Sequence, residues 1–276
     1  MNDPREIFLN KPELVWPLPS WMLHGPELER LRGRGGLAVV ELAGRDSVAA
    51  ALRAMEAGSL RTLVPTYVYT GTEHGPWSQV IQAHERLGRR LPPGVELLPL
   101  VIFGSPRFWQ ALNGRFLGEL LRRYGFSTIC VGCHLYLHAL RLPLALALGG
   151  AAIIAGERLS HDGRTKLNQV AACLEAYQGL TSGFGVELML PLAEVKDSAE
   201  IERILGLDWG EGRDQLGCVL SGNYNDPQGQ PYWNALGLTN FLEEFALPLA
   251  RRVVAAYLAG GQPDHLALAR EILSAA

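Results

Sequence analysis

The run Ala43-Gly44-Arg45-Asp46-Ser47 constrains this chain more than any other short stretch, because of what flanks it. Before it lies Leu37-Ala38-Val39-Val40-Glu41-Leu42, an apolar run opened by Gly35-Gly36; after it, Val48 to Met55 is rich in strong helix formers. The order is strand, tight loop, helix. Such a loop aims backbone N–H groups and the positive end of the helix dipole at one point, which suits the phosphates of a nucleotide. Gly44 lets the backbone come close, Arg45 can add charge and Ser47 can add a hydroxyl at the helix start. An ordinary βα turn with Asp46 or Ser47 as N-cap satisfies the same string, so the rest of the chain has to decide.

The same rhythm recurs. Thr62 to Gly71 reads as a second strand, Trp77 to Leu87 as a helix, Val95 to Ile102 as a strand and Arg107 to Tyr124 as a helix. A cysteine-bearing segment, a helix through Leu140 to Leu148 and the strand Ala151 to Ala155 follow, closed by Gly156. This alternation predicts an α/β fold with a mainly parallel sheet sandwiched by helices, and ligands at the carboxyl ends of the strands. The expected organisation is an irregular N-terminal arm over 1–35, with Pro4, Pro12, Pro17, Pro19 and Pro26 before a short helix. The nucleotide-binding α/β domain follows over 36–205. Beyond it comes a glycine-rich, cysteine-bearing loop and helical extension over 206–276. In that extension Asn240 and Glu243 resemble a helix cap, Pro248 predicts a kink, and Phe245, Leu249, Val253 and Tyr257 share one face. That face predicts either core or a homodimer contact.

With 276 residues, 48% hydrophobic and 19% charged, the chain can bury a large core. Its longest apolar stretch, Leu142 to Ala155, is too short to span a bilayer and is interrupted by Pro143 and Gly149-Gly150, so no membrane segment is expected. Asp3, Pro4, Glu6 and Pro12 stand where a secretory leader needs a basic start and an apolar core, which predicts a cytoplasmic protein with reduced cysteines. The balance of 25 basic to 28 acidic residues, with basic pairs such as Arg122/Arg123 scattered, favours a small-molecule or carrier-protein partner over tRNA.

A cytosolic Cys130-Val131-Gly132-Cys133 needs a chemical reason. With His134 it formally matches a c-type haem attachment site; it also fits a redox pair, structural zinc completed by Cys218 and a histidine, or a [4Fe–4S] cluster held by Cys130, Cys133 and Cys218. Three cysteines leave the fourth iron open to a sulfide or substrate atom. Cys173, in Val170-Ala171-Ala172-Cys173-Leu174, reads as packing. The densest polar cluster is Gly156 to Gln169. There Glu157 or Asp162 suits a hydrated Mg2+, while Arg158, Arg164 and Lys166 suit phosphate oxygens; a solvated helix start capped by Asp162 is the structural alternative.

Taken in order, these motifs resemble the PP-loop ATP pyrophosphatases, of adenine nucleotide hydrolase-like fold, whose loop usually reads Ser-Gly-Gly-x-Asp-Ser. Gly44, Asp46 and Ser47 match, whereas Leu42 and Ala43 depart from it. Cys130-x-x-Cys133, Arg141, Ala147-Leu148-Gly149 and the strand to Gly156 are similar to the iron–sulfur branch of that superfamily, the tRNA thiolation enzymes, in which a later cysteine, here Cys218, supplies the third ligand. That branch carries Gly-His and two acids where this chain has Glu157-Arg158 and His161-Asp162. The resemblance spans roughly residues 36 to 220. It implies ATP bound by Ala43, Gly44, Asp46 and Ser47 at the phosphates, Tyr69, Thr70 and Gly71 near the adenosine, and Gly156, Glu157, Arg158 and Arg164 beside them. Arg45, Asp46 and Lys166 would act at the reacting phosphate, Asp162 on the metal. The implied activity adenylates a substrate oxygen and replaces it with sulfur. An amide- or nitrile-forming ligase with structural zinc and a non-catalytic nucleotide and iron–sulfur sensor are the alternatives.

Overall fold

The computed structural model describes residues 3–206, 209–210 and 212–275. The chain runs α1 (Pro4–Asn10), α2 (Gly25–Leu31), β1 (Leu37–Glu41), α3 (Arg45–Met55), β2 (Thr62–Val68), β3 (Glu73–His74), α4 (Ser78–Arg90), β4 (Glu96–Leu97), β5 (Val101–Phe103), α5 (Pro106–Trp109), α6 (Leu117–Tyr124) and α7 (Ile129–Ala147). It continues through β6 (Ala152–Ile154), α8 (Ala171–Ser182), β7 (Leu188–Met189), α9 (Ser198–Leu205), β8 (Gly217–Cys218), α10 (Ala235–Asn240), α11 (Leu247–Leu258) and α12 (His265–Ala275).

All partners in the main sheet are parallel, as the strand–helix alternation predicts. The order is β4-β2-β1-β6-β7, with β5 also pairing β2, so β4 and β5 fill one outer position in two pieces. The break between them explains how Pro65 is tolerated inside β2. Leu63 accepts from the Leu98 amide at 3.0 Å and Thr66 from the Leu42 amide at 2.9 Å, so alternate residues of β2 serve opposite neighbours. Pro65 falls on the side of the β4–β5 gap, where its missing N–H removes no ladder bond.

Side-chain alternation divides the core in two. Val39, Val64 and Ile153 join α7, α8 and the C-terminal helices on one face of the sheet. Ala38, Val40, Leu63 and Ile154 join α3, α4 and α9 on the other. Helices therefore cover both faces. Phe245, Leu249, Val253 and Tyr257 are buried in the first of these clusters together with α7, which resolves the expected choice for that stripe in favour of core. The C-terminal helices share the sheet's core rather than forming an appendage.

Several local expectations are corrected. The N-terminal arm contains a helix, α1, because Asp3 caps it and Pro4 occupies its first turn. Ile7 and Phe8 seat it against Tyr67, with Phe8 stacked on Trp77 at 4.6 Å. The single helix expected over Arg107 to Tyr124 is broken by a π-helical turn at Gln110–Gly114. The last helical region starts at Ala235, capped by Asn234, so Asn240 lies inside it rather than capping it; a second π-helical turn over Phe241–Ala246 follows, and Pro248 falls in the first turn of α11. Cys130 and Cys133 do not precede a helix: they lie in its first two turns, and α7 runs on through Pro143. Gly132 is required by packing rather than by a turn, since a Cβ there would collide with the Asn113 carboxamide. Among the described residues α7 alone is long and apolar enough to cross a membrane, and 72% of that stretch is buried inside the protein.

Candidate functional site

In a doubly wound parallel sheet, the crevice beyond the strand ends opens where the winding reverses. Here β2 flanks β1 on one side and β6 on the other, so the crevice lies between the loops that follow β1 and β6. A cavity of about 960 Å³ occupies that position. Its wall includes Ala43, Gly44, Asp46, Ser47 and Thr70 from the first two strand ends and Gly156, Glu157, Arg164 and Lys166 from the loop after β6. Cys130, Cys133 and Cys218 line it as well. The cavity thus gathers most of the residues singled out from the sequence. Tyr69, Gly71, Arg45, Arg158 and Asp162 are not in its wall.

The loop after β1 is built from its own short-range bonds. Ala43 and Gly44 amides donate to Ser47 Oγ at 2.9 and 3.0 Å, and that hydroxyl donates to the Gly44 carbonyl at 2.8 Å. The Ser47 side chain therefore shapes the loop from within. Gly156 lies directly on the first turn of α3: an added Cβ would stand 2.8 Å from Asp46 C and Ser47 N. Asp46 is held between two buried guanidiniums, accepting from Arg45 Nε at 2.9 Å and Arg158 Nε at 3.1 Å. Arg45 also donates from Nη2 to Ser198 Oγ at 3.3 Å. Among the described residues, Arg45 Nη1 and both terminal nitrogens of Arg158 are buried donors with no hydrogen-bond partner. Such donors in the interior, beside a helix N-terminus, fit a nearby anion.

Other predicted residues have different tasks. Asp162 accepts the amide and hydroxyl of Ser198, each at 2.7 Å, and so ties the β6 loop to the start of α9. Those two hydrogen bonds hold its carboxyl below the ordinary range, and the side chain stays outside the cavity wall. Tyr69 donates its hydroxyl to the Pro12 carbonyl beneath the sheet end. Glu73 receives the Thr70 and Gly71 amides at 2.5 and 2.8 Å and closes the turn after β2.

That turn delivers the third cysteine. β3 pairs antiparallel with β8, placing Glu73 opposite Cys218, and Thr72 Oγ1 lies 3.2 Å from Cys218 Sγ and 2.7 Å from Thr70 Oγ1. Leu220 joins the sulfurs, its amide donating to Cys218 Sγ at 3.4 Å while its carbonyl sits 3.7 Å from Cys130 Sγ. Cys133 Sγ accepts from Trp109 Nε1 at 3.3 Å. N–H donors directed at sulfur fit thiolate ligands of a metal centre, which the protein tunes through such bonds. Burial pushes the Cys130 thiol up to about 11 and Cys133 higher still, the reverse of an activated redox cysteine. Among the described residues no three His, Cys, Asp or Glu groups close tightly enough to hold a single metal ion. Cys173 is fully buried, with Sγ 3.3 Å from the Leu167 carbonyl, as packing predicts.

The floor between the two ends is a buried ionic network that the motifs did not announce. His134, His138 and Arg141 recur on one face of α7. His134 Nδ1 meets Glu157 Oε1 at 2.6 Å, and Asn168 Nδ2 donates to His134 Nε2 at 2.8 Å. His138 reaches Glu41 Oε1 at 2.6 Å and Glu157 Oε1 at 3.5 Å, bridging the carboxyl ends of β1 and β6. Arg141 lies 3.4 Å from Glu41 Oε1 and donates to Thr66 Oγ1 at 2.8 Å. Burial opposes charge on His138, but Glu41 and Glu157 outweigh it and raise its pKa to about 9. Burial likewise opposes ionisation of Glu157, and His134 with His138 more than offsets it, leaving that carboxyl well below its usual range. The only sequence signal was the helical spacing of His134, His138 and Arg141, with Glu41 and Glu157 at or just beyond the ends of two strands.

No family model matches the chain. Over 221 residues it is 38% identical to an uncharacterized protein, MJ0009, of Methanocaldococcus jannaschii, an alignment covering 79% of each chain. By that similarity the chain belongs to the same protein family as MJ0009.

Proposed function

We propose that this protein is an ATP-dependent sulfur transferase of the PP-loop type, acting at the crevice between β1 and β6. One observation carries the reading. Cys218, far along the chain from Cys130 and Cys133, lines the same cavity as they do, and that cavity also holds the Gly44–Ser47 loop. Adenylation and sulfur delivery need that proximity. The N-terminus of α3 would receive the pyrophosphate part of ATP, Arg164 and Lys166 would lie at its flank, and Glu157 would offer an oxygen to Mg2+. Glu157 Oε2 is buried and has no hydrogen-bond partner among the described residues, which supports that assignment. A [4Fe–4S] cluster on Cys130, Cys133 and Cys218 would supply the sulfur nucleophile, with one iron free of protein ligands. Trp109 and Leu220 would orient two of the thiolates through their N–H donors.

The acceptor proposed is a small molecule or a carrier-protein terminus rather than tRNA. The cationic side chains in the cavity wall are Arg141, Arg164 and Lys166, and Arg141 is already engaged by Glu41 and Thr66. The sensor alternative draws support from the Ser47 hydroxyl, which is turned into its own loop. Pyrophosphate exchange separates the two. Labelled pyrophosphate should enter ATP when the protein is incubated with a low-molecular-weight cell extract, and Asp46→Asn and Ser47→Ala should each lower that exchange at least tenfold. Magnesium–ATP binding without exchange under any acceptor fraction, bulk tRNA included, would leave the sensor as the better reading.

A further inference from the structure

The N-terminus of α3 already has an occupant. The Gln215 carboxamide oxygen accepts from the Arg45 amide at 3.4 Å, and its side chain lies over Gly44 so closely that a Cβ on that glycine would stand 2.5 Å from Oε1 and 2.9 Å from the Gln215 Cβ. We propose that Gln215 holds the place of a phosphate oxygen on this loop, and that an entering nucleotide displaces it and thereby moves Cys218. The inference rests on the assignment of the Gly44–Ser47 loop as the phosphate site.

Two features favour displacement. The occupant is a neutral acceptor at a long hydrogen-bond distance, whereas a phosphate brings full negative charge to a helix N-terminus and bonds more strongly. Glycine at position 44 also leaves the loop backbone open to a larger group once the carboxamide departs.

The link to the cysteine is short. Gln215 is followed at once by β8, whose Cys218 pairs with Glu73 and touches Thr72. Leu216 packs against Gly75, where a Cβ would lie 3.5 Å from its side chain. Three residues of extended chain span about 10 Å at most, so a shift of Gln215 off the loop has little slack to absorb it before β8. Cys218 is the exposed one of the three cavity cysteines, and its partner strand β3 follows directly from the strand end assigned to adenosine. Nucleotide occupancy would thus be read at the third sulfur through the β3–β8 ladder.

The test compares Mg–ATP affinity, by calorimetry, for wild type, Gln215→Ala and Gln215→Glu, with hydrogen exchange followed over 213–219 and 43–47. Gln215→Ala should bind ATP on the order of fivefold tighter, as expected for loss of one competing neutral hydrogen bond. Gln215→Glu should bind it more weakly than wild type, because a carboxylate competes harder for the helix N-terminus. ATP should slow exchange at 43–47 and speed it at 213–219 in the wild type, and Gln215→Ala should exchange fast at 213–219 without ATP. Equal affinity in all three proteins, or tighter binding with 213–219 unmoved, overturns the displacement. Failure of the wild type itself to bind ATP overturns the phosphate-site reading instead, and this inference with it.

Discussion

The two ends of the cavity are built in opposite ways. At the β1 end, the loop takes its own shape from residues within five positions of one another, Ser47 Oγ tying Ala43 and Gly44 and Asp46 bonding its neighbour Arg45, with Arg158 and Gln215 added from afar. At the cysteine end only the Leu220 amide on Cys218 is local. Cys133 is met by Trp109, Cys218 by Thr72, and Cys130 by Leu220, each from a different segment. A site made by short-range bonds survives as long as its strand and helix do. One made by three distant segments depends on every element that positions them, and its ligand can hold them together in return.

The largest expected effect is all or none and falls at the cysteine end. Anaerobically reconstituted wild type should be brown and carry about four irons per chain. Cys218→Ser, Cys130→Ser and Cys133→Ser should each lose the iron, while Cys173→Ala keeps it. Stoichiometric zinc without iron after such reconstitution would break the comparison, making the cysteine end a structural site and favouring a ligase.

A smaller effect is expected where the β6 loop meets the β1 loop. Gly156→Ala puts a methyl 2.8 Å from the Asp46 and Ser47 backbone, which cannot swing aside as a flexible side chain would. The variant should lose about 1–3 kcal/mol of stability, the usual range for overpacking, and should lose ATP affinity without losing iron. Urea denaturation and calorimetry together check it. Iron loss on the same scale as ATP loss would show the two ends to be one cooperative unit.

The mildest perturbation is pH, acting on the floor that joins the ends. His138 is raised to about 9, so its contribution to stability is complete below the ordinary histidine pKa near 6.5 and is lost as pH rises through 9. His161 and His265 are lowered to about 4, chiefly by burial, so each is neutral in the fold and costs stability as pH falls below 6.5. Stability should therefore peak near the unperturbed histidine value. The alkaline limb should flatten in His138→Gln. Denaturant midpoints from pH 5 to 10 measure this, and an alkaline limb retained in His138→Gln would assign it to another group.

Much of the fold was legible because its causes are local. The apolar runs at Leu37, Thr62 and Ala151 became parallel strands with loops at their carboxyl ends, since burial on both faces demands continuous apolar sequence. Gly44, Ser47 and Gly156 were legible as residues of the loops that line the cavity for a related reason, as strand-to-helix turns leave only a few residue types room. Asp162 and Arg158 were placed among ligand-facing residues because charge density marks a polar loop but not the direction of its side chains. Ser198, remote in sequence, takes the Asp162 carboxylate, and Asp46 takes the Arg158 guanidinium. The π-helical turns were invisible because they answer to packing, Asn113 against Gly132 in the first case, rather than to residue propensity.

By itself the sequence determined the alternation of strand and helix, the loop chemistry of residues 43–47 and the burial of Cys173, because hydrophobic period, glycine and helix propensity act over a few residues. Tertiary structure alone decided that Cys218 shares a cavity with Cys130 and Cys133, that Gln215 rests on the Gly44–Ser47 loop and that His138 joins Glu41 to Glu157. Those contacts link residues far apart in the chain. Their energy comes from burying and pairing groups whose proximity no local pattern encodes, and which exist as partners only once the sheet has closed around them.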